Sequence, residues 1–434
     1  MQTSLKGINK RAYRDSSHQF GGLYRLLNED NLRWAYSQLN KRAAVGVDKV
    51  SYAEYGQNLE ENLKDLVSRL KNKSYKARLI RRHYIPKSAT KMRPLGIPTL
   101  EDKLVQYATA KILEAIYEAD FIKDSYGYRP HRGCHDAVKI VKKRAMFANC
   151  NHVVEADIKG FFDNIDHDWL IRMLKKRIED KALIQLIYKW LKAGIMEEGK
   201  VIHPESGTPQ GGVISPILAN IYLHYALDLW FENRVSRACV GRCSIVRYAD
   251  DFVCLFQHKN EAQYFYEQLP LRLKKFNLEV APEKTKKLKF SRFNSRKENE
   301  SFEFLGFEFH WELSRRGKKY VRARTSGKKL RGAIKRFTDW IQDNRSKRLR
   351  PIMESVRRKF IGHYNYYGLI GNSKRLSDYW FWCLRSLFKW LNRRSQKRSY
   401  NWTGFNELIK YFAIPTPIVT ENIQQLQLPF NNDF

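Results

Sequence analysis

"RYADDFVCLF" (residues 247–256) sets two adjacent carboxylates, Asp250 and Asp251, inside a run of apolar and aromatic residues. A buried strand does not accommodate an unpartnered carboxylate pair, because desolvation and mutual repulsion both oppose it. Either a positive charge faces the pair, or the strand turns where the charges stand. With its flank included, "SIVRYADDFVCLF" (244–256) reads as a hairpin, two β-rich arms around a polar tip.

A second carboxylate arrives in the same way. "HVVEADIKGFFDNI" (152–165) begins as a β-branched strand, ends in Asp157 and turns through Gly160. Two strands that each deliver an aspartate at one edge can be neighbours in a sheet, though 93 residues separate Asp157 from Asp250. Asp157 and Asp250 together offer hard oxygen ligands for two divalent cations, with phosphate and water completing the shells. Such a pair suits in-line phosphoryl transfer. Two aspartates at a hairpin tip are also ordinary turn chemistry, so the reading needs further elements. One is "GTPQGGVISPILANIYL" (207–223), a loop entering an apolar helix. In it Gly207, Gly211 and Gly212 permit close approach to a ligand, and Gln210 can hydrogen-bond a base edge or backbone. Another is "IPKSATKMRPLGIP", whose Lys87, Lys91 and Arg93 around a turn suit a triphosphate.

The 434 residues exceed one ordinary core, so two or three domains are expected. A hydrophobic fraction of 43% excludes a disordered chain. The formal net charge of +35 points to a polyanionic partner, nucleic acid first and anionic membrane second. The start "MQTSLKGINKRAYRDSS" lacks the apolar core of a signal peptide. The most apolar window, 212–231, carries Ser215, Pro216, Asn220, His224 and Asp228, so a buried helix is expected rather than a membrane span. Six scattered cysteines form no zinc pattern and read as reduced thiols of a cytoplasmic protein.

Along the chain, residues 1–80 read as helical, 81–99 as two strands around a basic turn, and 101–119 and 135–147 as amphipathic helices. "FEFLGFEFHWE" (302–312) reads as one aromatic strand. Composition then shifts: 315–400 holds 26 Lys and Arg against 4 Asp and Glu, interleaved with Trp and Tyr. That mixture fits backbone neutralisation plus stacking, the two parts of RNA binding. "SRRGKKYVRARTSGKK" reads as a basic connector into this segment, and the tail from 415 as extended or frayed.

The ordered series "RPLGIPTLEDKLVQ", "SYGYRPHRGCHDAV", "EADIKGFFDNIDHDWL", "GTPQGGVISPILANIYL", "RYADD", "EVAPEKTKKLKF" and "FEFLGFEF" resembles the successive blocks of bacterial group II intron reverse transcriptases. "GVDKVSYAEY" resembles that family's extra N-terminal block, and "GHYNYYGLIGNSKRLSDYWFWCLRSLFKWLNRRSQKRSYNWTGFNELI" its thumb, or maturase, region. The resemblance covers nearly the whole chain. It implies an α+β right-hand polymerase: fingers, a palm with an antiparallel sheet and helices, then a helical thumb/maturase domain. The expected domains are 1–80, an N-terminal extension of the fingers; 81–312, fingers and palm; 313–414, thumb/maturase; and 415–434, a tail.

By matching position, the resemblance makes Asp157, Asp250 and Asp251 the catalytic, metal-binding carboxylates, with Asp251 the looser partner. Two Mg²⁺ ions are implied, with Mn²⁺ as a substitute. Phe162, with Phe161 as the competing choice, matches the aromatic ring under the nucleotide sugar. Lys87 and Arg93 match fingers residues at the triphosphate, Gln210 the glutamine near template and nucleotide, and Lys284 a lysine that protonates the leaving pyrophosphate. Arg129 and Arg132 are expected near template phosphates, with Tyr126 and Tyr128 packed beneath. Neighbouring His131, Cys134 and His135 invite a metal reading that the resemblance replaces. Arg393, Arg394, Lys397 and Arg398 are expected to bind RNA.

The implied partners are group II intron RNA, an RNA template/DNA primer duplex, target DNA and dNTPs, with no membrane. The implied location is the bacterial cytoplasm, associated with the nucleoid. The zinc-bound nuclease domain of some members is expected to be lacking, so priming would use nicked or replicating DNA or another nuclease. Two alternatives keep part of this: a domesticated reverse transcriptase in phage defence or DNA repair, and a splicing-only RNA-binding maturase. Intact Asp157, Asp250 and Asp251 argue against the latter.

Overall fold

Apolar residues at helical spacing produce the opening helices Gln2–Arg14, Glu29–Gln38, Tyr52–Gln57 and Leu59–Lys71, as expected. The computed structural model describes residues 2–86, 92–197, 200–202, 206–208, 211–293, 300–394 and 399–421. The chain divides into two units, one of residues 1–132, 156–252 and 260–286, the other of 133–155, 253–259 and 287–434. Asn28 caps the second helix by accepting from the Asn31 amide, and Ser51 with Glu54 forms a capping box on the third.

In the first unit, β1 (Ile80–Pro86) and β2 (Met92–Ile97) pair antiparallel in register Arg82 to Gly96. The strands β3 (His152–Asp157), β4 (Ile195–Glu197) and β5 (Lys200–Ile202) follow along the chain, and one sheet runs β2-β1-β4-β5. The helix Leu100–Tyr117 is buried around most of its circumference, Leu104, Val105, Ile112, Leu113 and Ile116 included, rather than amphipathic as expected. Its first turn is capped by the Thr99 side chain. Further on come β6 (Cys243–Tyr248), β7 (Asp251–Phe256) and β8 (Lys286–Lys289), and a second sheet, whose strands β3, β7 and β8 include residues of both units, runs β6-β7-β3-β8. The expected neighbourhood of the two aspartate-bearing strands is therefore observed: β3 lies next to β7.

In the second unit the single strand expected over 302–312 is two strands. β9 (Phe302–Phe304) and β10 (Phe307–Leu313) pair antiparallel across Leu305 and Gly306, whose φ angles are +52° and +77°. Two consecutive left-handed residues make the tight turn that matches hairpin twist. The stretch expected as a connector contains β11 (Lys319–Thr325), paired with β10 along its length. Its alternation was the available signal, since Val321, Ala323 and Thr325 are buried while Arg322 and Arg324 are not. The helices Gly327–Asn344, Leu349–Tyr367, Ser373–Leu391 and Trp402–Tyr411 then enclose a core that includes Phe337, Ile341, Val356, Phe360, Leu376, Leu387 and Phe405. The tail is not frayed at its start: Thr420 is buried, its amide donating to Gly368 O at 2.8 Å and its hydroxyl to Tyr364 O at 3.0 Å. No helix among the described residues is long and apolar enough to cross a membrane.

Candidate active site

β6 and β7 are joined by only Ala249 and Asp250, a link short enough for an antiparallel hairpin alone. Asp250 thus sits in the turn, Asp251 opens β7, and Asp157 closes β3. After Asp157 the chain pairs with residues 279–281: Ala281 N donates to Asp157 O at 2.8 Å, and Lys159 N to Glu279 O at 2.9 Å. The short helical turn Pro282–Lys284 then brings the Lys284 ammonium onto the Asp157 carboxylate. That hydrogen bond and the Asp157 charge, with smaller contributions from Glu283 and Asp250, hold the Lys284 pKa above its ordinary value against burial. Lys284 is thus an ion-pair partner of Asp157, and Asp250 acts on it only as a weaker, through-space charge. The opening stretch's second alternative is the one observed, since the strand turns where the charges stand.

The hairpin tip is held from below by residues that the sequence reading missed. Arg247 and Asp228 have fully buried side chains and form a bidentate ion pair, Nε to Oδ1 at 2.7 Å and Nη2 to Oδ2 at 2.5 Å. Arg247 Nη1 also donates to Asn220 Oδ1 at 2.9 Å and to Ala249 O at 3.0 Å. Asn220 Nδ2 in turn donates to Gly127 O at 2.7 Å. The network matters because Ala249 has φ +57°, a conformation costing a non-glycine residue roughly 1–2 kcal/mol. The guanidinium grips the carbonyl of this strained residue immediately before Asp250. Segment 124–127 runs alongside, with Arg247 N donating to Asp124 O at 2.9 Å and Tyr126 N to Arg247 O at 2.8 Å. A Cβ on Gly127 would lie 2.3 Å from Ala249 N, so only glycine permits this approach. Asn220 and Asp228 are two of the polar residues that spoke against a membrane span. A π-helical turn, His224–Asp228, ends on the second of them.

Other expected residues separate into those near the carboxylates and those that are not. Tyr128 is half-exposed, and burial, then the Asp250 charge, raise its pKa while Arg93 lowers it. It stands within electrostatic reach of both rather than packing beneath the block, whereas Tyr126 is buried. Phe161 is buried and meets Phe162 edge to face at 5.4 Å, so Phe162 is the ring with an accessible surface. Two glycines of the expected loop approach protein backbone. Gly207 and Gly211 have φ +93° and +106°, and a Cβ on either would lie 2.8 Å from a carbonyl of this chain, Asp163 O and Gly96 O respectively. Their close approach is to protein backbone, not to a ligand. Lys87, Lys91 and Gln210 lie outside the described residues.

Arg129 requires correction. Its side chain is buried, pairing with Glu118 through Nε and Nη2 at 3.0 and 2.7 Å and with Ile122 O and Ser125 O through Nη1. It braces its own loop and does not present itself to a phosphate. Arg132 is more exposed, with one donor on Lys123 O. His135 Nε2 is 2.7 Å from Tyr366 O, and no group of three or more His, Cys, Asp or Glu among the described residues is arranged to hold a metal ion. That holds for the Asp157, Asp250 and Asp251 set as well. It accords with magnesium's habit of taking one or two carboxylates and completing its shell from substrate phosphates and water. The Lys284 ammonium resting on the Asp157 carboxylate shows that this oxygen donor takes a positive partner.

Of the expected RNA-binding residues, Arg393 is exposed with its guanidinium 5.6 Å from the Trp390 ring centre, and Arg394 donates to Lys347 O at 2.6 Å. Lys397 and Arg398 lie outside the described residues.

Comparison with known proteins places this geometry in context. Residues 85–309 match the family model described as reverse transcriptase (RNA-dependent DNA polymerase). The group II intron-encoded protein LtrA of Lactococcus lactis subsp. cremoris is 36% identical, over 65% of this chain and 56% of the relative. Protein YkfC of Escherichia coli (strain K12) is 37% identical, over 48% of this chain and 62% of the relative. The mitochondrial nuclear intron maturase 1 of Arabidopsis thaliana is 30% identical over 22% of this chain and 13% of the relative. The chain spans less than two thirds of the length of each.

Proposed function

The chain belongs to the reverse transcriptase (RNA-dependent DNA polymerase) family, and on that premise we propose that it extends a DNA primer on an RNA template with dNTPs and binds group II intron RNA as a maturase. The observation supporting the polymerase half is the placement of Asp157 at the end of β3 and of Asp250 in the turn leading into the neighbouring β7, within the matched family region. The names of the L. lactis and A. thaliana relatives support the intron half.

Asp157 and Asp250 would hold divalent ions, with Asp251 the looser partner. When bound, two Mg²⁺ ions, or Mn²⁺ in their place, supply charge neutralisation and activation of the primer hydroxyl. Arg93, with Lys87, offsets the triphosphate charge. Lys284 stays protonated beside Asp157, whose hydrogen bond holds its pKa above the ordinary lysine value, and is assigned the donation of a proton to the leaving pyrophosphate that the resemblance implies. Arg247 fixes the turn that presents Asp250.

Phe162 is assigned the sugar contact. Phe162→Ala is expected to lower the preference for dNTPs over rNTPs on the order of tenfold or more, with dNTP incorporation retained. Single-nucleotide incorporation with each substrate measures this, and an unchanged ratio removes Phe162 from the sugar site. Neutralising Arg393, Arg394, Lys397 and Arg398 together is expected to reduce the slope of log affinity against log salt by about 3 for single-stranded RNA. A salt titration of RNA binding with an unchanged slope would move the RNA contact elsewhere.

A further inference from the structure

The helix Ser373–Leu391 has two features that the polymerase reading leaves unused. At its start lies a cavity of about 140 Å³ lined by Arg322, Arg324, Gly371, Lys374 and Arg375. Arg322 and Arg324 reach it from β11. Arg322 is oriented by Glu312 and by the Gly371 carbonyl, and Arg324 by Glu308 through Nε at 3.0 Å and Nη2 at 3.2 Å. Among the described residues, neither Arg322 Nη2 nor Arg324 Nη1 has a protein acceptor, so each guanidinium keeps a donor for a ligand. Arg375 stands 3.8 Å from Asp378, and Lys374 is exposed and brings the surplus positive charge. Oriented guanidiniums with donors to spare suit a tetrahedral oxyanion.

Further along the same helix, Phe381 is 46% exposed and Trp382 50%. The core reading of this helix is already satisfied by its other face, where Leu376, Tyr379, Cys383, Leu387 and Leu391 are buried. The two exposed rings meet edge to face at 5.2 Å, and the Arg385 guanidinium lies 5.5 and 5.8 Å from their centres. Lys374, Phe381, Arg385 and Lys389 recur at helical spacing on one exposed stripe. From Lys374 to Phe381 is about 10 Å along the axis. Cations interleaved with exposed rings are a poor match for an apolar protein partner and a good match for a charged backbone carrying flat bases.

We propose that this stripe binds an unpaired nucleic-acid strand, with a backbone phosphodiester in the cavity and bases stacked on Phe381 and Trp382. The proposal rests on the nucleic-acid reading above and adds the strand class and the residues that take it. Stacking demands bases freed from pairing, so the site discriminates single strands from duplex.

The test uses the full chain, fluorescence anisotropy, and three probes: oligo-uridine RNA, oligo-thymidine DNA and a blunt RNA duplex. Phe381→Ala with Trp382→Ala should weaken single-strand binding at least about tenfold while duplex binding changes less than about twofold. Lys374→Gln should lower the single-strand salt slope by about 0.7. Phe381→Tyr with Trp382→Phe, which keeps the rings, should retain wild-type affinity. A loss on only one of the RNA and DNA probes supports the site and names its strand. Unchanged single-strand affinity in the alanine pair, or equal loss on duplex, overturns the proposal. A wild-type chain that binds none of the probes overturns the underlying nucleic-acid reading instead.

Discussion

Asparagine in place of Asp250 is expected to abolish dNTP incorporation on an RNA template, a loss on the order of 10³-fold or more, while RNA affinity stays within about twofold. The substitution is nearly isosteric, so the turn and its Arg247 support remain. What changes is charge: the site loses the carboxylate at the turn between β6 and β7. A neutral amide is a weaker ligand for a hard divalent ion. Because the basic second unit supplies the RNA contacts proposed above, binding should be spared. The paired measurement is single-nucleotide extension and RNA binding on the same preparation. Undiminished incorporation would remove Asp250 from the chemistry.

The second large effect is expected at Asp228, the fully buried counter-charge of Arg247. Asp228→Ala leaves the Arg247 guanidinium fully buried with its principal counter-charge gone. Breaking a buried pair from one side costs about 3–5 kcal/mol, because the remaining charge is uncompensated. The expected result is a clearly lowered urea midpoint and, in whatever fraction stays folded, slower incorporation, since the Ala249 carbonyl would lose a firmly held donor. Replacing both partners, Arg247→Met with Asp228→Leu, should restore much of the stability without restoring the rate. Recovery of both would make the pair a packing feature only. An unchanged midpoint in Asp228→Ala would refute the burial argument.

The parts of this site that could be read in advance are those whose signal is local. The β-rich runs of β6 and β7, interrupted by two aspartates, mark a hairpin with charge at its tip. The β-branched run ending at Asp157 marks a second strand with the same feature. The prediction that the two would be neighbours follows from those edges, and the sheet order β6-β7-β3-β8 agrees.

What could not be read depends on which distant groups meet. Lys284 was visible as a lysine, but nothing nearby in sequence says that its ammonium lands on Asp157. Arg129 looked like a surface cation because composition does not reveal burial; Glu118 and two carbonyls consume its donors. Leu305–Gly306 escaped notice because leucine rarely adopts a left-handed turn, so the aromatic run read as continuous. Arg247 and Asp228 did leave a usable trace. Each is the lone charge in an otherwise apolar segment, one in a strand and one in a helix, and opposite charges so placed are candidates for a buried pair.

The central claim is RNA-directed DNA synthesis at the carboxylates Asp157 and Asp250. Primer extension on an RNA template with Mg²⁺, supplied first with dNTPs and then with rNTPs, tests it most directly. Templated elongation with dNTPs, with rNTPs used far less well, is the predicted result. No elongation with either, from folded chain that binds the primer–template, would contradict the account.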